Sequence, residues 1–161
     1  MVKFLSRLSK NINQAVEFLV FAMGLTMTLI VAIQVFFRYI LNHSLFWSEE
    51  LARYLLIWLT FLGTSSAYFR HVHPGVDIIY SQMPEKLKHI SAIMVHLVCI
   101  GIFSIMIIFG SQFAWFVRFQ ISPALSLPKW IIASIIPISG LVLMVHGFVF
   151  LADEFKGKND S

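Results

Sequence analysis

Four long apolar stretches constrain the fold more than any other feature of this chain. They run from Phe18 to Phe37, Leu51 to Phe69, Ile90 to Val117 and Trp130 to Leu151. At a rise of 1.5 Å per residue, about 20 apolar residues cross the ~30 Å hydrocarbon core of a bilayer, so each stretch is long enough to span it. Backbone polar groups in lipid must be satisfied within the segment, which makes each stretch a helix. The expected fold is an all-α integral membrane protein with four transmembrane helices at about residues 15–38, 48–70, 89–117 and 128–152. Its short loops and lack of internal repeats make residues 1–161 a single transmembrane domain. Composition agrees: charged residues are 12% of the chain and mean hydropathy is +0.82, whereas a soluble domain carries about 25% charged residues. The sixteen Phe and seven Met would leave a water-soluble fold of this size with apolar surface it could not cover.

Local signals mark the ends and irregularities of these stretches. Arg53 falls near the start of the second, where its long side chain can snorkel to the interface. Trp115 and Arg118 close the third. Ser126-Leu127-Pro128 reads as a helix start for the fourth, with Ser as cap and Pro in the first turn, and Pro137 is expected to kink that helix. Lys3, Arg7 and Lys10 give a basic start, but Phe36-Phe37-Arg38-Tyr39 offers no small-residue cleavage site, so the first segment is expected to stay as a permanent helix.

Orientation follows from Lys and Arg. Lys3, Arg7, Lys10, Arg70, Lys86, Lys88, Lys156 and Lys158 fall on one side of the four spans, and Arg38, Arg53, Arg118 and Lys129 on the other. Eight against four places both termini in the cytoplasm. Trp47, Trp115 and Trp130 then all lie near the outer interface, where indole rings prefer to sit. The basic residues are scattered between spans, so the formal charge of +4 is a topology signal and no nucleic-acid partner is expected.

The polar inventory is small. In Asn42-His43-Ser44-Leu45-Phe46-Trp47-Ser48-Glu49-Glu50-Leu51-Ala52-Arg53-Tyr54, Ser48 is placed to cap the second helix, with Glu49 and Glu50 at its positive end. Glu49 precedes Arg53 by four residues, the favourable order for a same-face ion pair, and Arg38 is a second possible partner. Glu17 stands at the edge of the first helix, whereas the single working carboxylate of a small multidrug transporter lies deep. His96 and His146 fall at one depth on adjacent antiparallel helices, so a small cytochrome-type anchor with a bis-His haem is the alternative from another class. Gly63 with Ala67, Gly101 with Ser104 and Ser111, and Gly140 with Gly147 are spaced for close helix packing. Cys99 sits in an apolar run, which leaves a thiol inert. The sequence carries no phosphate-cradling glycine loop, no Ser/His/Asp set arguable from spacing, and no helix interrupted midway for an ion or solute. It reads as a supporting subunit, not an enzyme, with no cofactor or metal of its own.

Arg38-Tyr39 followed by Asn42, then Trp47-Ser48-Glu49-Glu50-Leu51-Ala52-Arg53-Tyr54, Trp58 and Phe61-Leu62-Gly63-Thr64-Ser65-Ser66-Ala67, closely resembles the small membrane subunit of TRAP transporters, the tripartite ATP-independent periplasmic systems. The pattern continues through His73 and Val76-Asp77 to Met83-Pro84, with Pro74 where the family's His-x-x-Val-Asp run has an aliphatic residue. The ordered motifs cover the first half of the chain, and the second half agrees in hydropathy. The resemblance implies a multi-pass protein of the bacterial inner membrane. It also implies two protein partners, a large TRAP membrane subunit that binds sodium and carries the solute, and a periplasmic solute-binding protein that delivers an organic acid of the C4-dicarboxylate or sialic acid type. Within that system the small subunit is expected to be a fixed scaffold covered by lipid and by the large subunit. Arg38, Trp47, Glu49, Glu50, Arg53, Gly63, Ala67, His73 and Asp77 are the expected structural and interface residues.

Overall fold

A computed structural model describes residues 2–70 and 85–157, and the described residues are helical apart from turns and one isolated bridge between Ile121 and Pro128. The helices are α1 Val2–Tyr39, α2 Phe46–Phe69, α3 Glu85–Phe116, α4 Lys129–Ala133 and α5 Ile135–Gly157. Three described stretches are long and apolar enough to cross a membrane: Ser6–Tyr39, Ser91–Phe116 and Lys129–Ala152. The second helix is outside that set because Arg53 and the run Thr64-Ser65-Ser66 dilute its apolar content.

α1 starts well before the apolar stretch that heralds it. Its 38 residues give a rod of about 57 Å, nearly twice the hydrocarbon thickness. Nothing in residues 2–23 breaks a helix, since the first Gly or Pro after Val2 is Gly24. The segment also has its own inward face, with Ser9, Asn13 and Val16 buried and Arg7, Lys10 and Gln14 exposed. Helix formation here follows amphipathic spacing rather than the onset of hydrophobicity.

The kink expected at Pro137 is a break. Pro has no N–H to give the carbonyl of Ala133, and its ring crowds that carbonyl; the rod is interrupted at Ser134, between α4 and α5. Ser134 N–H still reaches Trp130 O at 2.9 Å, and its hydroxyl donates to Ile131 O at 2.6 Å. The break lies five residues into the rod, near one end of the bundle. Ser126 does not cap this helix. It adopts φ +53° in the preceding turn, and Pro128 occupies the N-cap position with no side-chain bond.

Packing joins α1 to α2 and α3 to α5, with α5 also against α1 and α2. One core cluster is Val16, Leu62 and Ile135, with Trp58, Phe61 and Val142 around it. The other is Tyr68, Phe103 and Leu143, with Cys99, Met106 and Phe150. α3 and α5 approach closely at glycines. A Cβ on Gly140 would stand 3.0 Å from Ile107 and 3.3 Å from the Phe103 carbonyl, and one on Gly110 would stand 2.7 Å from Ile136. Gly140 and Gly147 thus pack as their spacing indicates, whereas Gly63 and Gly101 have open space where a Cβ would point. Around these cores, α1 and α3 turn rows of large apolar side chains outward, including Phe18, Phe21 and Leu25 on one and Val98, Ile105 and Phe109 on the other.

Candidate functional site

The polar segment before the second apolar stretch folds into a clasp at one end of the bundle. α2 starts at Phe46, two residues earlier than its expected cap, and Leu45 holds the N-cap position without a side-chain bond. Ser48 is therefore inside the first turn, fully buried, and its hydroxyl donates to Leu45 O at 2.6 Å. The turn from α1 is closed by His43 N–H on Phe37 O at 3.0 Å, with Asn42 at φ +50°, a conformation Asn tolerates.

Glu50 is the centre of the clasp. It lies just ahead of the apolar stretch from Leu51 to Phe69, yet is only 9% exposed. Its Oε2 accepts from the backbone N–H of Ala124 at 2.7 Å and of Leu125 at 3.2 Å, and its Oε1 accepts from the Tyr54 hydroxyl. Ser122, also buried, gives Glu50 a further hydroxyl bond while its oxygen takes the N–H of Leu127 at 3.1 Å. Burial alone would push the Glu50 carboxyl up. The bonds from Tyr54, Ser122, Ala124 and Leu125 outweigh it and bring the group down to about 2, so it is a fixed anion at neutral pH. One carboxylate thus ties α2 to the 121–128 turn, 74 and 75 residues away in the chain.

The other expected residues divide. Arg38 Nη1 lies 3.7 Å from Glu49 Oε1, with both side chains more than half exposed, and Gln34 donates to the same oxygen at 3.1 Å. An exposed pair of this kind adds little stability. Arg53 takes no part: it is exposed and has no ion pair among the described residues, so the expected bond to Glu49 is replaced by the one from Arg38. Trp47 is exposed beside the clasp. His73 and Asp77 lie outside the described residues.

Arg53 belongs to a distinct outward face of α2. The exposed positions Glu49, Arg53, Leu56, Thr60 and Thr64 recur every three or four residues, and Gly63 adds its open space, with Ala67 one turn further on. Thr60 and Thr64 each return their hydroxyl to the carbonyl four residues back, at 2.8 Å. Only one large apolar side chain, Leu56, interrupts a line of small, hydroxyl and charged groups.

At the opposite end, α1 carries Ser9, Asn13 and Glu17 at four-residue spacing, which stacks them on one face. Glu17 Oε1 accepts from Asn13 Nδ2 at 2.7 Å and Ser66 Oγ at 3.1 Å, and Arg70 reaches it through Nε and Nη2, each at 2.8 Å. Residue-by-residue reading placed Glu17 at the edge and Arg70 on the same side of the membrane without joining them; their opposite signs at the ends of antiparallel neighbours were the available clue.

His96 and His146 are held by different helices. His146 is fully buried, with Nδ1 2.7 Å from Ser9 Oγ on α1; His96 Nδ1 is 3.3 Å from the Tyr68 hydroxyl on α2. A chain of rings links the two, from His146 to Phe69 at 5.1 Å, Phe69 to Phe150 at 6.3 Å, and Phe150 to His96 at 6.0 Å. Each imidazole is engaged by its own neighbours, an arrangement unlike a pair of axial ligands facing one another.

Comparison with known proteins agrees with this architecture. The family described as "Tripartite ATP-independent periplasmic transporters, DctQ component" matches residues 27–157. The chain is 32% identical over 111 residues to the C4-dicarboxylate TRAP transporter small permease protein DctQ of Vibrio cholerae, covering 68% of this chain and 47% of that protein. It is 31% identical over 154 residues to a putative TRAP transporter small permease protein of Haemophilus influenzae, covering 93% and 83%. It is 30% identical over 151 residues to the sialic acid TRAP transporter permease protein SiaT of Haemophilus influenzae, covering 91% of this chain and 24% of that protein. The chain spans about half the length of the Vibrio protein and about a quarter of SiaT.

Proposed function

The chain belongs to the DctQ family of TRAP small permease subunits, multi-pass proteins of the bacterial inner membrane, and on that premise we propose that it is the scaffold of a sodium-driven transporter. In this reading it crosses the membrane four times with both termini in the cytoplasm, and pairs with a large membrane subunit that carries sodium and solute. A periplasmic binding protein delivers the solute, an organic acid of the C4-dicarboxylate or sialic acid type, the classes named for its relatives. It carries out no catalysis.

The outward face of α2 carries the argument. Lipid favours large apolar side chains, such as those α1 and α3 present, and gives nothing to an open glycine, while a guanidinium must reach either the interface or a polar partner. Small residues along a membrane helix let another helix approach closely, and an arginine there calls for an acceptor on that neighbour. Arg53, Thr60, Gly63, Thr64 and Ala67 therefore fit a protein neighbour better than they fit acyl chains. Glu50 serves this function indirectly by fixing the first turn of the same helix.

The test is co-purification of a tagged large subunit with three forms of this chain: wild type, Gly63→Leu and Gly101→Leu. Both glycines face outward, and a Cβ added at either meets no atom of the chain within 4 Å; the thermal stability of each variant chain alone, measured alongside, separates a lost interface from a damaged fold. Gly63→Leu is expected to reduce recovery of the pair and Gly101→Leu to leave it unchanged. Equal recovery in all three would remove the α2 face from the interface, and failure of the wild-type pair to form would remove the pairing itself.

A further inference from the structure

Where α3 ends and the α4–α5 rod begins, the two leave a groove of about 480 Å³ between them. Its α3 wall is one stripe, Ser111, Ala114, Trp115 and Arg118, at the three- and four-residue spacing that keeps side chains on a single face. Its other wall is Trp130 and Pro137, which stand on either side of the break at Ser134.

The groove changes character along the membrane normal. The spanning part of α3 ends at Phe116 and that of the rod starts at Lys129. Trp115, Arg118 and Trp130 therefore stand at the membrane–water boundary, where indoles and guanidinium groups settle. Ser111 and Pro137 lie roughly 6 to 10 Å deeper by helix rise. The Ser111 hydroxyl is turned back onto Ile107 O at 2.6 Å, so below the boundary the walls offer an occupant apolar contact. Ile108, one turn below Ser111 on the same face, is exposed and extends that apolar track.

Arg118 is a cation held in place. Its guanidinium lies 4.2 Å over the Trp115 ring and 4.3 Å over the Phe119 ring, and Nη1 donates to Trp115 O at 2.8 Å. Among the described residues no carboxylate pairs with it, and its Nε–Nη2 edge makes no bond. The two acidic groups that open α2 are committed elsewhere, Glu50 to Tyr54 and the 121–128 turn and Glu49 to Arg38 and Gln34.

An anion at the boundary joined to an apolar tail beneath it completes such a groove, and a phospholipid has that form. The free edge of a planar guanidinium matches two phosphate oxygens, and an acyl chain supplies the van der Waals contacts that open walls lack. None of the described residues lining the groove is Asp or Glu, so a headgroup ammonium would find no partner and a net negative headgroup fits better than a zwitterionic one. The other flank of α3 makes a useful contrast. A second groove there, of about 370 Å³, has Lys129 as its cation, already bonded to Gln120 Oε1 at 3.3 Å. We propose that the groove between α3 and the α4–α5 rod binds one anionic phospholipid, its phosphate on Arg118 and an acyl chain between Ala114 and Pro137. Such a site depends on the chain being in a membrane, and not on its orientation or its pairing with a large subunit.

The test is native mass spectrometry of the delipidated full chain, titrated with phosphatidylglycerol and separately with phosphatidylethanolamine, on variants first shown to melt with the wild type. One phosphatidylglycerol should be retained, more tightly than phosphatidylethanolamine. Arg118→Gln should weaken its binding about tenfold, the scale for a charge-assisted hydrogen bond, and Ala114→Phe, which fills the groove and leaves the charge, should weaken it comparably. Lys129→Gln removes the same charge at the same boundary and should leave the affinity unchanged. Unchanged affinity in Arg118→Gln or Ala114→Phe would overturn the proposal, as would equal binding of the two lipids. An equal loss in Lys129→Gln would reduce the effect to general attraction by a basic surface. Displacement of the lipid when the large subunit is added would give the groove to a protein neighbour and overturn the site as well.

Discussion

Glu50 shows how one residue can hold a distant piece of chain. Its carboxylate is depressed by hydrogen bonds that exist only in the folded protein. Its contribution to stability is therefore complete above the ordinary carboxylate range and is lost as pH falls through about 2. Replacing Glu50 by Gln keeps the shape but sets an NH2 group against donors. The substitution is expected to lower Tm at neutral pH by about 5 °C, the scale for loss of a buried hydrogen-bonded group. The gap between wild type and variant should close as a thermal-denaturation series is carried from pH 5 toward pH 2; a gap that stays constant over that range would show that the carboxylate charge is not what matters. Glu49 is a useful contrast. Its partners, Arg38 and Gln34, are on the exposed surface, and Glu49→Gln should change Tm by less than about 2 °C. The sequence showed that the acidic pair opens the second helix, but not what Glu50 binds. Two of its donors are backbone N–H groups, which leave no trace in residue identity.

At the scale of the helix, the sequence was most legible where lipid writes the pattern. The apolar stretches locate α1, α2, α3 and the α4–α5 rod, and Pro137 marks the irregularity in the last. The start of α1 was harder to read, because hydropathy records where a helix enters lipid and not where it begins. Glycine spacing was likewise only half informative. Gly140 and Gly147 face α3, whereas Gly63 and Gly101 face outward, since spacing places residues on one face without saying which neighbour that face meets. The α3–α5 contact gives a direct prediction: Gly140→Val forces a side chain within about 3 Å of Ile107 and the Phe103 carbonyl and should destabilise the chain by 1–3 kcal/mol, in the usual range for overpacking. Gly101→Val should have little effect by the same measurement, thermal denaturation of the purified chain. A Gly140→Val chain as stable as wild type would mean that the two helices can part at no cost.

At the scale of the whole molecule, the proposed topology rests on the distribution of Lys and Arg, and fusions test it. A reporter after Ser161 should read cytoplasmic and one inserted near Ser122 periplasmic; a periplasmic C-terminus would invert the assembly and place the Glu50 clasp on the cytoplasmic side. The division of labour follows from the surfaces. The chain has well-packed seams between its own helices, an outward α2 face suited to a protein neighbour, and broad apolar faces on α1 and α3. These are the features of a part that holds another in place. Reconstitution into liposomes tests that claim most directly, with the periplasmic binding protein, its solute and a sodium gradient supplied to this subunit alone, to the large subunit alone and to the two together. Accumulation of solute by the pair and by neither subunit alone is the expected result; accumulation by this chain alone would contradict a scaffold role, and full uptake by the large subunit alone would show that the scaffold is not needed.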